Sequence, residues 1–207
     1  SLRFSTFTHN LFYMNTFKTI KKTSTSFFKE KGSKFYGYAF PINSKEDVKE
    51  CLVKIQEEHP KARHICSAFL IGVGDQEYYI ANDDGEPANS AGAPILGQIR
   101  SAGITNTYIA VVRYFGGTKL GVGGLIQAYK LGAALALKEN EIVEVEPQTS
   151  LSFKIGFELM GTVLPIIDKN NLDAKIENLT DGVQIGLTFN EKDEKQIRGM
   201  FDRWVNV

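Results

Sequence analysis

Apolar residues recur along the chain with two different periods, and these periods predict strands that alternate with helices. Alternation in steps of two is typical of a half-buried strand, and recurrence every three to four residues is typical of an amphipathic helix. The pattern therefore predicts a chain that mixes strands and helices. The predicted strands span residues 34–42, 65–73, 77–81, 107–113, 141–145, 150–158, 172–180 and 183–190. The predicted helices span residues 45–59, 93–101, 125–137, 161–170 and 191–205.

Local signals support several of these elements. Ser44 and Asp47 have the spacing of a capping box, which predicts where the first helix begins. Asp181-Gly182 lies between two apolar runs and predicts a tight hairpin. Residues 16–31 are rich in lysine and are interpreted as either an early strand or a basic arm.

Three segments are predicted along the chain. The sequence from Met14 onward looks like the natural start of a protein. Residues 1–13, which precede it, are therefore interpreted as a leader or an added segment. The alternative is an arm that packs through its apolar side chains, which are Phe4, Phe7, Leu11 and Phe12. Residues 14–147 form the first domain, and residues 148–207 form a second one. The order strand-helix-strand-strand-helix in the second domain predicts a small ferredoxin-like fold.

Composition excludes several classes of protein. The 207 residues carry a formal net charge of zero, so no overall basic excess points to nucleic acid, and such a role must depend on a local patch. No apolar run approaches the roughly 20 residues that a membrane span needs. The two cysteines cannot form a disulfide framework, which favours a reducing, cytoplasmic location.

Residues 111–125 (VVRYFGGTKLGVGGL) carry the most informative pattern in the chain. They predict a buried strand, a glycine loop and then a helix that is apolar on most sides. A helix that starts after such a loop offers free N–H groups to an anion. Arg113, Thr118 and Lys119 surround this start, and the backbone of Gly116 and Gly117 is a candidate part of the same anion site. Neither standard nucleotide-binding loop is matched. The alternative is that glycines such as Gly116 and Gly117 only allow the helix to pack tightly on the strand.

Aromatic and basic residues beside this loop extend the anion hypothesis to nucleic acid. Tyr114 and Phe115 are candidates for stacking on bases, and Lys130 extends the basic surface along the helix. The alternative is that one ring lies in the core and the other covers the end of the sheet.

A second loop is acidic, with Asp83, Asp84 and Glu86 close together. Such carboxylates can bind Mg²⁺ or serve as general acid and base, although no metal-ligand motif is present. One alternative is a simple turn, and another is a salt bridge to Arg113 or Lys119 that brings the two loops together. His64 and Cys66 share one face of a predicted strand, where Cys66 is either a nucleophile or a small core residue.

The two loop motifs, residues 83–87 (DDGEP) and 111–125, resemble the YigZ/IMPACT family. Shorter matches are residues 33–35 (SKF), 64–68 (HICSA) and 91–94 (AGAP). The chain departs from the family pattern at Asn89-Ser90, where the family has Gly-Thr. Asn tolerates the left-handed backbone conformation better than most residues.

The resemblance implies an α+β fold, with a first domain similar to ribosomal protein S5 domain 2 and a second, ferredoxin-like domain similar to one in elongation factor G. Both folds occur in translation proteins, and eukaryotic relatives regulate translation. The leading hypothesis is a non-enzymatic cytoplasmic factor that binds RNA or a ribosome-associated partner, with no resident cofactor. One alternative is an enzyme that acts on a small phosphorylated or nucleotide-like ligand with Mg²⁺, and another is a pure protein-interaction module.

Overall fold

The computed structural model describes residues 16–205, and the predicted leader segment 1–13 lies outside them. The chain divides between Val145 and Glu146 into two compact units, which are described separately. The division lies two residues before the predicted boundary at 147.

The first unit contains seven strands and three helices within the described residues, and it confirms the predicted α+β class. All strands and helices predicted for this part of the chain are present. Their bounds are β1 (Phe17–Ile20), β2 (Ser24–Glu30), β3 (Ser33–Pro41), α1 (Lys45–Glu58), β4 (His64–Ile71), β5 (Tyr78–Asn82), α2 (Gly92–Ser101), β6 (Thr107–Tyr114), α3 (Gly121–Lys138) and β7 (Ile142–Val145).

A five-stranded antiparallel sheet in the order β2-β3-β6-β4-β5 organises the first unit, and β1 pairs with β7 in a separate ribbon. Because side chains alternate across a strand, the sheet has two faces. The α3 face packs against α2 and α3 and includes Phe35 and Val111 in its core. The α1 face packs against α1 and includes Tyr38 and Val112. Strand β6 lies in the middle and is buried on both faces.

Two predictions for the first unit need correction. Helix α3 begins at Gly121, four residues before the predicted start at 125, so part of the predicted glycine loop is its first turn. Glycine has a low helix propensity, but the long buried face of α3 outweighs it. Residues 16–31 form two strands rather than one strand or an arm, and Lys31 and Gly32 connect β2 to β3 with positive φ angles of 46° and 81°. Two positive φ angles are typical of a tight hairpin turn.

The capping box of α1 is confirmed. The Ser44 side chain accepts a hydrogen bond from the Asp47 N–H, and the Asp47 carboxylate accepts one from the Ser44 N–H. These bonds satisfy backbone donors that the first turn of a helix leaves free.

Glycines bring α3 unusually close to the sheet. A Cβ atom added at Gly37 on β3 would lie 2.5 Å from the carbonyl oxygen of Gly132 on α3. The Ser26 hydroxyl donates to that same oxygen at 3.1 Å. The packing alternative raised for the glycines therefore applies to Gly37 and Gly132, which lie outside the glycine loop.

The second unit confirms the predicted order of strands and helices. It contains β8 (Gln148–Ile155), α4 (Met160–Lys169), β9 (Asp173–Leu179), β10 (Gly182–Asn190) and α5 (Glu194–Val205). The sheet order is β8-β10-β9, with both pairs antiparallel. Ile197, Phe201 and Trp204 form the buried face of α5, as the periodicity predicted.

Candidate functional site

Two loops meet at one end of the five-stranded sheet. The acidic loop, residues 83–91, connects β5 to α2, and the glycine loop, residues 115–120, connects β6 to α3. The Arg113 Nη1 atom at the end of β6 lies 2.6 Å from the Glu86 Oε1 atom of the acidic loop. This ion pair is one of the alternatives that the sequence left open, and it fixes the acidic loop next to the start of the glycine loop.

The ion pair between Arg113 and Glu86 is buried, with 7% and 5% of the two side chains exposed. The Tyr129 hydroxyl of α3 donates to the same Glu86 oxygen at 2.8 Å. The rings of Phe35 and Phe115 lie 5.8 and 5.6 Å from the centre of the guanidinium group. Since a buried cation needs a partner of opposite charge, Arg113 is committed to Glu86. Its burial removes it from the group of residues proposed to contact phosphate.

Cys66 is fully buried next to the acidic loop. Its thiol donates to the Asp83 carbonyl oxygen at 3.0 Å. Burial raises the pKa of this thiol to about 12, and burial also raises the pKa of the nearby Tyr129 hydroxyl. Because the thiolate is the nucleophilic form, Cys66 is a core residue rather than a nucleophile. The His64 Nδ1 atom lies 2.8 Å from the Asp84 carbonyl oxygen, so His64 also holds this loop.

The carboxylates of Asp83 and Asp84 organise the acidic loop. Asp83 accepts hydrogen bonds of 2.8–2.9 Å from the backbone N–H groups of Asn89, Ala91 and Gly92, and so caps the start of α2. Asp84 accepts a bond of 2.6 Å from the Ile65 N–H on β4. Both roles match the preference of aspartate for turns and helix starts. Asn89, which departs from the family pattern, has a φ of 60°, as the tolerance of asparagine allows.

These contacts bear directly on the Mg²⁺ alternative. Asp83, Asp84 and Glu86 each accept at least one strong hydrogen bond from the protein. These bonds give the three carboxylates structural roles within the loop that need no cation. Within residues 16–205, no group of three His, Cys, Asp or Glu side chains is arranged to hold a metal ion.

The glycines of the glycine loop and of the first turn of α3 have different physical constraints. A Cβ atom added at Gly116 would overlap the backbone of Gly32 and Ser33, so the tip of the β2–β3 hairpin packs directly against this loop. Gly117 and Gly121 have φ angles of 90° and 71°, which favour glycine. Gly123 has neither constraint, because a Cβ atom there would meet nothing within 4 Å. The folded chain itself therefore gives no steric reason for glycine at 123.

The start of α3 is exposed and has no side-chain cap. Thr118 and Lys119 lie immediately before it, and both are exposed. Phe115 is 58% exposed. Lys130 is exposed as well, and its spacing from Gly123 places it on the same side of α3, two turns further along. These predicted residues are therefore all exposed, and the first N–H groups of α3 have no partner within the helix.

Tyr114 belongs to a different surface from the other predicted residues. It points to the α1 face, where its hydroxyl lies 3.1 Å from the His59 Nδ1 atom and its ring contacts Tyr36 edge-on at 5.9 Å. Burial lowers the pKa of His59, which favours the neutral ring in this cluster.

Sequence reasoning noted the lysine-rich segment 16–31 but did not place the basic residues of the β2–β3 hairpin beside the glycine loop. Lys29, Lys31 and Lys34 are exposed, and contact between Gly32 and Gly116 places this hairpin beside the glycine loop. Three lysines within six residues were a usable signal, but only the register of β2 with β3 shows that Lys29 lies opposite Lys34.

None of the helices within residues 16–205 combines the length and the apolar character needed to cross a lipid bilayer.

Comparison with known proteins gives consistent matches over both loops. Residues 31–137 match the Impact N-terminal domain. The IMPACT family member YigZ of Escherichia coli is 33% identical over 149 residues, which cover 72% of this chain and 72% of that protein. An IMPACT family member of Haemophilus influenzae is 33% identical over 177 residues, which cover 84% of this chain and 85% of that protein. A crystal structure of a hypothetical protein superposes with a TM-score of 0.70 and 25% identity, over 91% of this chain and 93% of that chain. These matches confirm the resemblance and the two-part α+β fold.

Proposed function

This chain belongs to the IMPACT family, and from that premise we propose that it binds RNA phosphate at the exposed start of α3 and acts in translation as a binding protein. The observation that carries the proposal is the uncapped first turn of α3 with open space above Gly123. The residues proposed to contact phosphate are Thr118, Lys119 and Lys130, together with the backbone around Gly117 and Gly121.

The chemistry of this surface suits an anion. The first N–H groups of a helix have no partner within the helix, and the helix dipole adds positive potential at the same point. Phosphate oxygens accept hydrogen bonds from such groups, particularly when a hydroxyl and an ammonium group lie beside them. Thr118 and Lys119 supply these two groups.

The openness of the surface favours a polymer over a small molecule. Small-ligand sites are concave and enclose most of their ligand, whereas residues 115–119 are all exposed. Exposed lysines continue along α3 and onto the β2–β3 hairpin, so several successive phosphates can be contacted. The net charge of the whole chain is zero, so this patch is a local feature.

The family resemblance supports the proposed role in translation. The resemblance implies two folds that occur in translation proteins, and it implies that eukaryotic relatives regulate translation. Ribosomal RNA and messenger RNA both present the phosphate that this surface suits.

We expect Thr118→Ala combined with Lys119→Ala to weaken binding of labelled RNA by about tenfold, because one charged contact and one hydroxyl donor to phosphate are lost. The loss should be similar for RNAs of different sequence, since phosphate contacts do not read bases. Fluorescence anisotropy of a labelled oligouridine and of a mixed-sequence RNA measures both affinities.

Lys138→Ala is the matched control, because Lys138 is exposed at the opposite end of α3. The proposal requires this variant to bind like the unmodified protein. If the double variant and Lys138→Ala bind RNA equally well, the start of α3 does not hold phosphate. If RNA binding is equal in this way and a protein partner is also retained from RNase-treated lysate, the two results together would favour the protein-interaction alternative.

A further inference from the structure

The α1 face of the sheet carries a second group of aromatic and basic residues, at the end formed by β2, β3 and β6. Phe27 lies opposite Tyr36, and Lys29 lies opposite Lys34, in the antiparallel pairing of β2 with β3. Lys34 lies in turn opposite Tyr114 on β6. Residues two apart on a strand share a face, so all five side chains lie on the same side of the sheet. We call this group the aromatic platform.

The rings of the aromatic platform are held in place before any ligand arrives. Phe27 is 51% exposed, and its ring centre lies 4.9 Å from that of Tyr36. Tyr36 and Tyr114 are half-buried at the margin of the α1-face core. The His59 ring contacts both tyrosines, at 4.9 and 5.7 Å between ring centres. An exposed ring on a fixed support loses little conformational entropy when another ring stacks on it.

The charge of the aromatic platform is positive. Lys29 and Lys34 are exposed, and neither forms an ion pair within residues 16–205. Glu30 is the one acid on β2, and its position in the strand places it toward the opposite face. Two unpaired ammonium groups beside one exposed ring and two half-buried rings complement a chain that combines flat rings with anionic linkages.

We propose that the aromatic platform binds single-stranded RNA, with bases stacked on Phe27 and Tyr36 and phosphates at Lys29 and Lys34. This inference rests on the proposed function and specifies its substrate, because only unpaired bases can stack on a protein ring. The contact between Gly32 and Gly116 makes the hairpin tip, with Lys31, a continuous basic route to the start of α3. One strand therefore runs from the platform over the tip to Thr118 and Lys119.

The test compares variants of Phe27 on two probes, a labelled oligouridine and an RNA duplex of the same length. Phe27→Ala should weaken oligouridine binding about tenfold, since stacking contributes that much per base, and should leave duplex binding unchanged. Phe27→Leu keeps an apolar side chain on β2 but removes the ring, so it should show the same loss without a change in stability. Phe157→Ala is the matched control, because Phe157 lies in the second unit and is 50% exposed.

The salt dependence of RNA binding separates the contribution of the aromatic rings of the platform from that of its lysines. Phe27→Leu should leave the slope of log affinity against log salt unchanged, whereas Lys29→Ala with Lys34→Ala should reduce it by about 1.4, or roughly 0.7 for each lost phosphate contact. Photocrosslinking of the oligouridine to the peptides of β2 and β3 is expected as well.

The results that would overturn the aromatic platform differ from those that would overturn the proposed function. The platform fails if Phe27→Leu binds oligouridine like Phe157→Ala while the Thr118/Lys119 double variant is weakened. If the opposite pattern is found, the phosphate contact proposed at the start of α3 fails, and the binding of single-stranded RNA by the platform stands. Displacement of oligouridine by polyglutamate at equal concentration of charge would also overturn the platform, because it would show a site for acidic chains that lack bases.

Discussion

Replacing Arg113 with methionine is expected to lower the free energy of unfolding by about 3–5 kcal/mol, the typical cost of breaking a buried ion pair. The variant leaves the buried Glu86 carboxylate with the Tyr129 hydroxyl as its remaining hydrogen-bond donor. Methionine fills much of the space beside Phe35, so most of the loss comes from the unpaired charge rather than from a cavity. Urea unfolding of the single variant measures this loss.

Removing both charges provides the control. Arg113→Met with Glu86→Leu should recover most of the lost stability, because an apolar pair of similar size can replace a buried ion pair. If Arg113→Met costs less than about 1 kcal/mol, the typical upper value for an exposed pair, the carboxylate is solvated and the two loops are not joined as described.

Replacing Gly116 with alanine is expected to lower the free energy of unfolding by about 3 kcal/mol, at the upper end for inserting a methyl group into a packed region. The added Cβ would overlap backbone atoms of Gly32 and Ser33, and backbone cannot move aside as a flexible side chain can. The β2–β3 hairpin tip must therefore separate from the glycine loop. The hydrogen bond from the Gly116 N–H to the Ser33 hydroxyl, at 3.2 Å, would be lost with it.

Gly97→Ala is the matched control for Gly116→Ala. Gly97 lies inside α2, and a Cβ there would meet nothing within 4 Å. Alanine should raise stability at this position by up to about 1 kcal/mol, because it has the higher helix propensity. An unfolding curve for Gly116→Ala that matches this control would show that the hairpin and the loop are not in contact.

Hydrophobic periodicity was sufficient to predict the order of the elements from β3 onward, but it did not separate β1 from β2. The start of α3 was predicted too late, since local propensity at Gly121, Gly123 and Gly124 opposes a helix that tertiary packing then forms. The alternation of residues along β6 could have predicted that Arg113 is buried, because Arg113 lies on the same face of the strand as the core residue Val111. Its partner Glu86 lies 27 residues away in the chain, and only the fold brings the two together.

The sequence suggested individual residues of the candidate site, but it did not show that these residues are divided between the two faces of the sheet. Arg113 and Tyr114 are neighbours in the chain, yet a strand directs them to opposite sides of the sheet, so they cannot serve one surface. Phe27, Lys29 and Lys34 were missed because their grouping depends on cross-strand register, which no local pattern specifies.

The central claim, that backbone N–H groups at the start of α3 hold RNA phosphate, is tested most directly by Gly123→Ala. Gly123 has an ordinary helical φ and open space, so alanine should not destabilise the fold, and Gly97→Ala provides a second helix glycine with the same freedom. Anisotropy titrations with labelled oligouridine at two salt concentrations should show about tenfold weaker binding for Gly123→Ala, since its methyl group obstructs the close approach of phosphate to the backbone. The salt slope should stay unchanged, because no charge is lost. Equal affinity of Gly123→Ala, Gly97→Ala and the unmodified protein would contradict the claim.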